Sequence, residues 1–218
     1  MFENIETEIV RRTADIRDYL NEISILIPAA PAVTPRHLSL ARGFVDVHLY
    51  GMIEYTIRQV LASVVSLINS EGVKISAVKN QIIGMALNAE FDSLIQSNKT
   101  KWDNRYSLLS KIEQDAIVNI RDDIMPTNGQ NFTRPQLESI WRIFCLKNNC
   151  FHDFRFLGLL SSIVGNRISV AHGNSSGVDT VGSISATDMY TRIGETFNFC
   201  IYFLESFRNY ILNKDYLK

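Results

Sequence analysis

The sequence has little cysteine, and its cysteines are not spaced for a disulfide framework or a zinc ribbon. Cys145, Cys150 and Cys200 are the only three, and no two of them form a Cys-x-x-Cys pair. An odd number without such a pair is typical of a protein from a reducing compartment. We therefore expect a cytoplasmic protein, and we predict no metal site and no other cofactor.

An excess of charge of one sign is also missing, as are long apolar runs. The 22 Lys and Arg residues are balanced by 23 Asp and Glu residues, which leaves a formal net charge of -1. Such a chain is no general binder of polyanions, so any contact with nucleic acid has to be local. The most apolar segments, 23–33 and 156–164, fall short of the roughly 20 residues that cross a bilayer, and the acidic N-terminus does not resemble a secretory signal. The sequence therefore predicts a soluble protein without a membrane contact.

Strand-like alternation closed by Asn-Gly or Asp-Gly turns is nearly absent, whereas apolar residues recur at helical spacing almost everywhere. This pattern predicts an all-α fold. With 218 residues, no internal repeat and no long linker, the chain is expected to form a single domain spanning 1–218. The predicted helices lie at about 3–25, 36–69, 75–95, onward from Thr133, 154–171 and 185–213, and the polar stretch 99–130 is treated as an elaboration.

One short stretch contains residue types that can catalyse a reaction. Residues 166–173 read Asn-Arg-Ile-Ser-Val-Ala-His-Gly, an Arg-x4-His-Gly motif at the end of a predicted apolar helix. Cleavage of RNA without a metal needs a base for the 2′-hydroxyl proton, an acid for the leaving 5′-oxygen and fixed positive charge at the phosphate. Histidine titrates near neutral pH, and arginine binds phosphate oxygens with a bidentate fork. Arg167 and His172 are therefore our candidate catalytic residues.

A single straight helix does not bring these two side chains together. Positions i and i+5 lie about 140° apart around the helix axis and about 7.5 Å along it, so Arg167 and His172 do not share a face. Either the helix unwinds at Gly173 and His172 swings round, or a second copy of the chain supplies the complementary group across a twofold axis. The sequence leaves both arrangements open.

The octet resembles the Arg-x4–6-His signature of the HEPN superfamily, especially its prokaryotic RiboL-PSP-HEPN branch, where it often reads Arg-Asn-x-Ile-Ala-His-Gly. Residues 47–58 look like the early core helix of that branch, with a small residue and a Glu inside an apolar stripe. The resemblance covers about 36–70 and 155–213. It implies a HEPN-type helical bundle with additional helices before and within the core, the stretch 71–134 being the elaboration.

The resemblance also implies a homodimer with a composite active site, in which paired motifs line a cleft for single-stranded RNA. The RNA would be cut to 2′,3′-cyclic phosphate and 5′-hydroxyl ends. We expect Asn166 and Asn174 to orient the substrate or His172, and Glu54 to position Arg167 from the neighbouring helix. Stand-alone prokaryotic members act as toxins or anti-phage defence effectors, which implies an antitoxin or a defence-system partner protein.

One departure from the family pattern motivates an alternative. The family usually has a polar residue directly after the arginine, whereas here that residue is Ile168. The alternative is a catalytically inactive HEPN module that serves as an RNA-binding or protein-interaction subunit. A purely structural interpretation is also open, in which Arg167 and His172 only complete a helix end by bonding its last carbonyl groups. A further alternative is an unrelated helical interaction protein, which predicts a monomer or an assembly in which the Arg167 region faces away from every partner.

Overall fold

We describe a computed structural model of the chain over residues 2–29, 32–96, 100–121, 131–172 and 184–218. Within these residues the regular structure is helical, apart from two isolated β-bridges, so the predicted all-α fold is confirmed. The helices are α1 (Phe2–Leu26), α2 (Arg36–Ser70), α3 (Asn80–Ala86), α4 (Asn88–Gln96), α5 (Lys101–Glu113), α6 (Arg134–Phe144), α7 (Phe156–Ala171) and α8 (Ala186–Leu212), with a short 3-10 turn at Ile75–Ala77.

The first helix is fixed by a stripe of isoleucine and leucine. Ile5, Ile9, Ile16, Leu20 and Ile23 are all buried, and together with the buried Thr13 they recur at the three- and four-residue spacing of one helix face. This face packs against α2 and α8. The helix predicted at the N-terminus is therefore confirmed, with each end within one residue of its expected position.

The second helix lies at the centre of the bundle. It runs for 35 residues and packs against α1, α7 and α8. Among the described residues, α2 is the one helix that is long and apolar enough to cross a membrane, yet 56% of its most apolar stretch is buried inside the protein. That burial is the pattern of a core helix in a soluble protein.

The last two helices complete the core around α2. α7 packs its apolar face against α2, and α8 packs against α1, α2 and α7. α8 begins where Ser185 Oγ accepts a hydrogen bond from the Asp188 N–H at 3.0 Å, which satisfies a free donor of its first turn. Both helices were predicted from the sequence, and their ends differ from the predicted ones by no more than two residues.

The prediction of one continuous helix over 75–95 is wrong. The segment forms the 3-10 turn, α3 and α4, and it is interrupted at Val78 and again between α3 and α4. Val78 is extended because the C-terminal tail pairs with it: Val78 and Leu217 form an antiparallel bridge, and the Lys79 N–H donates to Tyr216 O at 2.9 Å. Because Leu217 is so distant in sequence, the local apolar pattern does not predict this pairing.

The middle of the chain adds a pair of helices to the bundle. α4 and α5 pack against each other, and Asn104 Nδ2 donates to Ser93 O at 2.9 Å between them. The chain then returns to the end of α2, where the Asn69 side chain bonds both backbone groups of Ile120 at 2.8 and 2.9 Å. α6 begins directly after Thr133, as the sequence predicts, and packs against α3 and α7.

Candidate active site

Arg167 lies near the C-terminal end of α7, beside α2. Its Nη1 donates a hydrogen bond to Asn131 Oδ1 at 3.2 Å. Its Cζ lies 5.0 Å from the centre of the Tyr50 ring, within the range of a cation–π contact. The half-buried guanidinium is therefore held between an amide oxygen and an aromatic face.

Tyr50 connects these groups. It is buried in α2, and its hydroxyl donates to Asn131 Oδ1 at 3.2 Å while it accepts from the Phe132 N–H at 3.2 Å. Burial raises the pKa of the Tyr50 hydroxyl above its ordinary value, and the charge of Glu54 adds to this effect, although the hydrogen bond from the Phe132 N–H and nearby positive charges act against it. The phenol therefore stays protonated at neutral pH and remains a donor to Asn131.

The charge of Arg167 has no carboxylate partner among the described side chains. Glu54, which we expected to position Arg167, forms an ion pair with Arg58 one turn further along α2, with Oε1 3.0 Å from Nε and 2.9 Å from Nη2. Asn131 and Tyr50 are neutral groups. Within the described residues, the positive charge of the Arg167 guanidinium is therefore not compensated by a carboxylate, which is the condition that phosphate binding by arginine requires.

A second polar cluster lies between α2, α7 and α8, and we call it the Asp46 cluster. Arg192 Nη1 lies 3.2 and 3.0 Å from the two carboxylate oxygens of Asp46, and its Nη2 donates to Ser162 Oγ at 3.1 Å. Asn166 Nδ2 donates to Asp46 Oδ2 at 2.5 Å. Asp46 is only 1% exposed, so this carboxylate is buried with its charge compensated. Asn166 therefore contacts the Asp46 cluster, where we expected it to orient the substrate or the catalytic histidine.

His172 is exposed and follows the last residue of α7 as its C-cap. Its backbone is still helical, with φ -91° and ψ 0°, and its N–H donates to Ile168 O at 3.0 Å. The helical path therefore extends to His172, which lies about 140° around the axis from Arg167. One copy of the chain does not bring the two together on a common face. Gly173 and Asn174 lie outside the described residues.

Sequence reasoning missed four residues that shape this region: Tyr50, Asn131, Asp46 and Arg192. One of them carries a signal, because Asp46 stands among apolar residues of α2, and a carboxylate in such a position needs a buried partner. Nothing in the local pattern marks Asn131, whose contact with Arg167 spans 36 positions of the sequence.

The fold and the site together define an all-α protein with an arginine and a histidine at the end of one core helix, the arginine held by neutral partners and the histidine exposed. A family model described as RiboL-PSP-HEPN matches residues 9–213. The chain belongs to this family. Neither a curated protein nor a solved structure matches the chain.

The family match covers more of the chain than the resemblance seen in the sequence. It takes in most of α1 and the whole middle of the chain, in addition to 36–70 and 155–213. The additional helices are therefore part of the sequence region that the family shares. Membership in a HEPN family indicates a nuclease or RNA-related role.

Proposed function

We propose that the protein is a metal-independent endoribonuclease that cleaves single-stranded RNA to 2′,3′-cyclic phosphate and 5′-hydroxyl ends. The observation that carries this proposal is the environment of Arg167, which is fixed by Asn131 and Tyr50 and is paired with no carboxylate in the described part of the chain. A fixed, uncompensated cation suits a phosphate that gains negative charge in the transition state. Membership in the family supports RNA as the substrate class.

In the proposed reaction the 2′-hydroxyl oxygen attacks the adjacent phosphorus while its proton passes to a base. The bond between phosphorus and the 5′-oxygen breaks, and that oxygen takes a proton from an acid. His172 supplies an imidazole that serves as base or acid near neutral pH, and Arg167 stabilises the charge on the non-bridging oxygens. DNA has no 2′-hydroxyl and is not cut.

A second copy of the chain is proposed to complete the site, because Arg167 and His172 lie about 140° apart on one helix. The face of α7 that carries His172 supports a close approach of another helix. Gly158, Ser161 and Gly165 lie on that face and are exposed, and a Cβ at either glycine would meet nothing within 4 Å. Two α7 helices can therefore pack backbone to backbone across a twofold axis.

The nuclease proposal is tested with purified protein, a 5′-labelled single-stranded oligoribonucleotide and EDTA in the buffer. We expect cleavage products with cyclic phosphate ends, no cleavage of the matching oligodeoxyribonucleotide and no activity of His172→Ala. Two results contradict the proposal: RNA that stays intact at stoichiometric protein, or a His172→Ala protein that cleaves as well as its parent.

We also propose that this nuclease acts in the cytoplasm as a toxin or an anti-phage defence effector, controlled by an antitoxin or a defence-system partner protein. The support is the role of stand-alone prokaryotic members of the superfamily. Controlled expression in a bacterial host is expected to arrest growth, and His172→Ala is expected to relieve the arrest. Equal growth inhibition by both proteins at equal expression would contradict a role that depends on RNA cleavage.

Ile168 favours a second candidate function, an inactive HEPN module that binds RNA or a protein partner. The side chain that follows Arg167 is apolar and packs against the hydrophobic core, so it offers no polar group to a substrate. Such a module would retain single-stranded RNA in a binding assay and leave it uncut in the assay described above. Cleavage that depends on His172 excludes this alternative.

A further inference from the structure

α5 exposes two aromatic rings on one face. Trp102 and Tyr106 are each 76% exposed, and their spacing of four residues places them one above the other along the helix. Leu108, on another side of α5, is 8% exposed and anchors the helix to the core. The two rings therefore add little to the stability of the fold and are available to a partner.

A cation accompanies the rings. The Arg105 guanidinium lies 4.6 Å from the centre of the Trp102 ring, and no described carboxylate pairs with it. The nearby Lys111, in contrast, is paired with Glu90 of α4. Within the described residues, Arg105 therefore has a positive charge that no carboxylate compensates, and its guanidinium lies against one face of the Trp102 ring.

We propose that Trp102, Arg105 and Tyr106 form a second contact for single-stranded RNA, separate from Arg167 and His172. Exposed rings stack on unpaired bases, and a neighbouring guanidinium binds a backbone phosphate. The recess along these residues has a volume of about 370 Å³, and Leu108 and Leu109 complete its lining among the described residues. The choice of RNA over a protein partner rests on the proposed function and on the free charge of Arg105.

The chain offers a direct optical test because it has two tryptophans in different environments. Trp102 is 76% exposed, whereas Trp141 is 5% exposed and donates its indole N–H to Asn148 O at 3.1 Å. Quenching of tryptophan fluorescence by a single-stranded RNA 12-mer, measured in the His172→Ala protein to prevent cleavage, therefore reports on Trp102. We expect a saturable quench that disappears in Trp102→Phe.

Affinity is measured in parallel by fluorescence anisotropy of a labelled RNA. Trp102→Phe keeps an aromatic ring and is expected to bind within about twofold of its parent, whereas Trp102→Ala is expected to bind about tenfold more weakly, since stacking on one base contributes on that scale. Phe154→Ala is the matched control, because Phe154 is 70% exposed and lies outside α5. Its affinity is expected to stay unchanged.

The outcomes separate this proposal from the nuclease proposal. If RNA quenches the fluorescence but the parent protein does not cleave RNA, the α5 contact is supported and the nuclease proposal is contradicted. If the parent cleaves RNA but RNA does not quench the fluorescence, the nuclease proposal is supported and the α5 contact is contradicted. If RNA leaves the fluorescence unchanged and Trp102 becomes shielded from acrylamide as the protein concentration rises, the surface is an interface between copies of the chain. That result overturns the RNA contact.

Discussion

Two arginines beside α2 have opposite surroundings. Arg192 on α8 is bound to Asp46, a carboxylate that is 1% exposed, whereas Arg167 on α7 is bound to the amide of Asn131 and the ring of Tyr50. Both guanidinium groups are held in place, but within the described residues a carboxylate compensates the charge of Arg192 and none compensates that of Arg167. The comparison indicates that Arg192 stabilises the fold, and it supports the proposed role of Arg167 in binding an anionic ligand.

The largest effect is expected for Arg192, which stabilises the fold. Arg192→Met leaves Asp46 buried with an unpaired charge, which should lower the free energy of unfolding by about 3–5 kcal/mol. Chemical denaturation followed by circular dichroism measures the change. The double variant Arg192→Met with Asp46→Asn removes the stranded charge and should recover part of the loss. A loss below about 1 kcal/mol in the single variant would show that the pair is not a structural element.

Arg167→Lys is expected to act on activity and not on stability. Lysine keeps the charge but loses the planar fork, so RNA cleavage should slow by about 10²–10³-fold, while the free energy of unfolding changes by less than about 1 kcal/mol. Single-turnover cleavage and chemical denaturation measure the two quantities. Arg58→Lys, in an exposed ion pair of α2, is the matched control and should change neither. If Arg167→Lys lowered the free energy of unfolding as much as Arg192→Met, this result would contradict the conclusion that the two arginines have different roles.

Tyr50→Phe separates the ring of Tyr50 from its hydroxyl. The ring still faces Arg167, but Asn131 and the Phe132 N–H each lose a hydrogen-bond partner. We expect the free energy of unfolding to fall by about 1 kcal/mol and cleavage to slow by about tenfold, because Arg167 is held less firmly.

Tyr19→Phe is the control for this substitution. It removes a hydroxyl that donates to Ala41 O at 2.7 Å between α1 and α2, and Tyr19 has no described contact with Arg167. Its cleavage rate should match that of the parent. Equal slowing in Tyr19→Phe and Tyr50→Phe would mean that the loss of rate follows from lower stability and not from the position of Arg167.

Glu54→Gln should have the smallest effect. It breaks an ion pair with Arg58 whose partners are 32% and 51% exposed, so the free energy of unfolding should change by about 0.5 kcal/mol or less. The cleavage rate should stay within about twofold of the parent, because Glu54 has no described contact with Arg167. If Glu54 positions Arg167, as the sequence led us to expect, the rate would instead fall as far as in Tyr50→Phe.

Much of the fold could be predicted from the sequence. The long helices α1, α2, α7 and α8 follow from apolar residues at helical spacing, which form one buried stripe on α1 and a wider buried surface on the central α2. The prediction failed at 75–95, where the backbone of Val78 pairs with Leu217 at the other end of the chain. It also missed α5, which has Leu108 as its one buried residue and so lacks the buried apolar stripe of the long helices.

The candidate site was predictable only in part. The octet revealed Arg167 and His172 because their spacing and the helix end are local features. Asp46 lies 120 positions from Asn166 and 146 from Arg192, and these contacts arise only when α2, α7 and α8 pack together. The contact of Glu54 is different, because Arg58 stands four residues further along α2 at the spacing of a helical ion pair, whereas from the sequence we considered Arg167 alone.

The most direct measurement is a complementation assay with two impaired proteins, Arg167→Lys and His172→Ala. Alone, Arg167→Lys is expected to cleave about 10²–10³-fold more slowly than the parent and His172→Ala is expected to be inactive. When they are mixed under conditions that allow subunits to exchange, one site of each mixed dimer regains an intact arginine from one copy and an intact histidine from the other. We expect the mixture to cleave RNA far faster than either variant. A mixture no more active than its components, beside an active parent protein, would contradict a site shared between two copies.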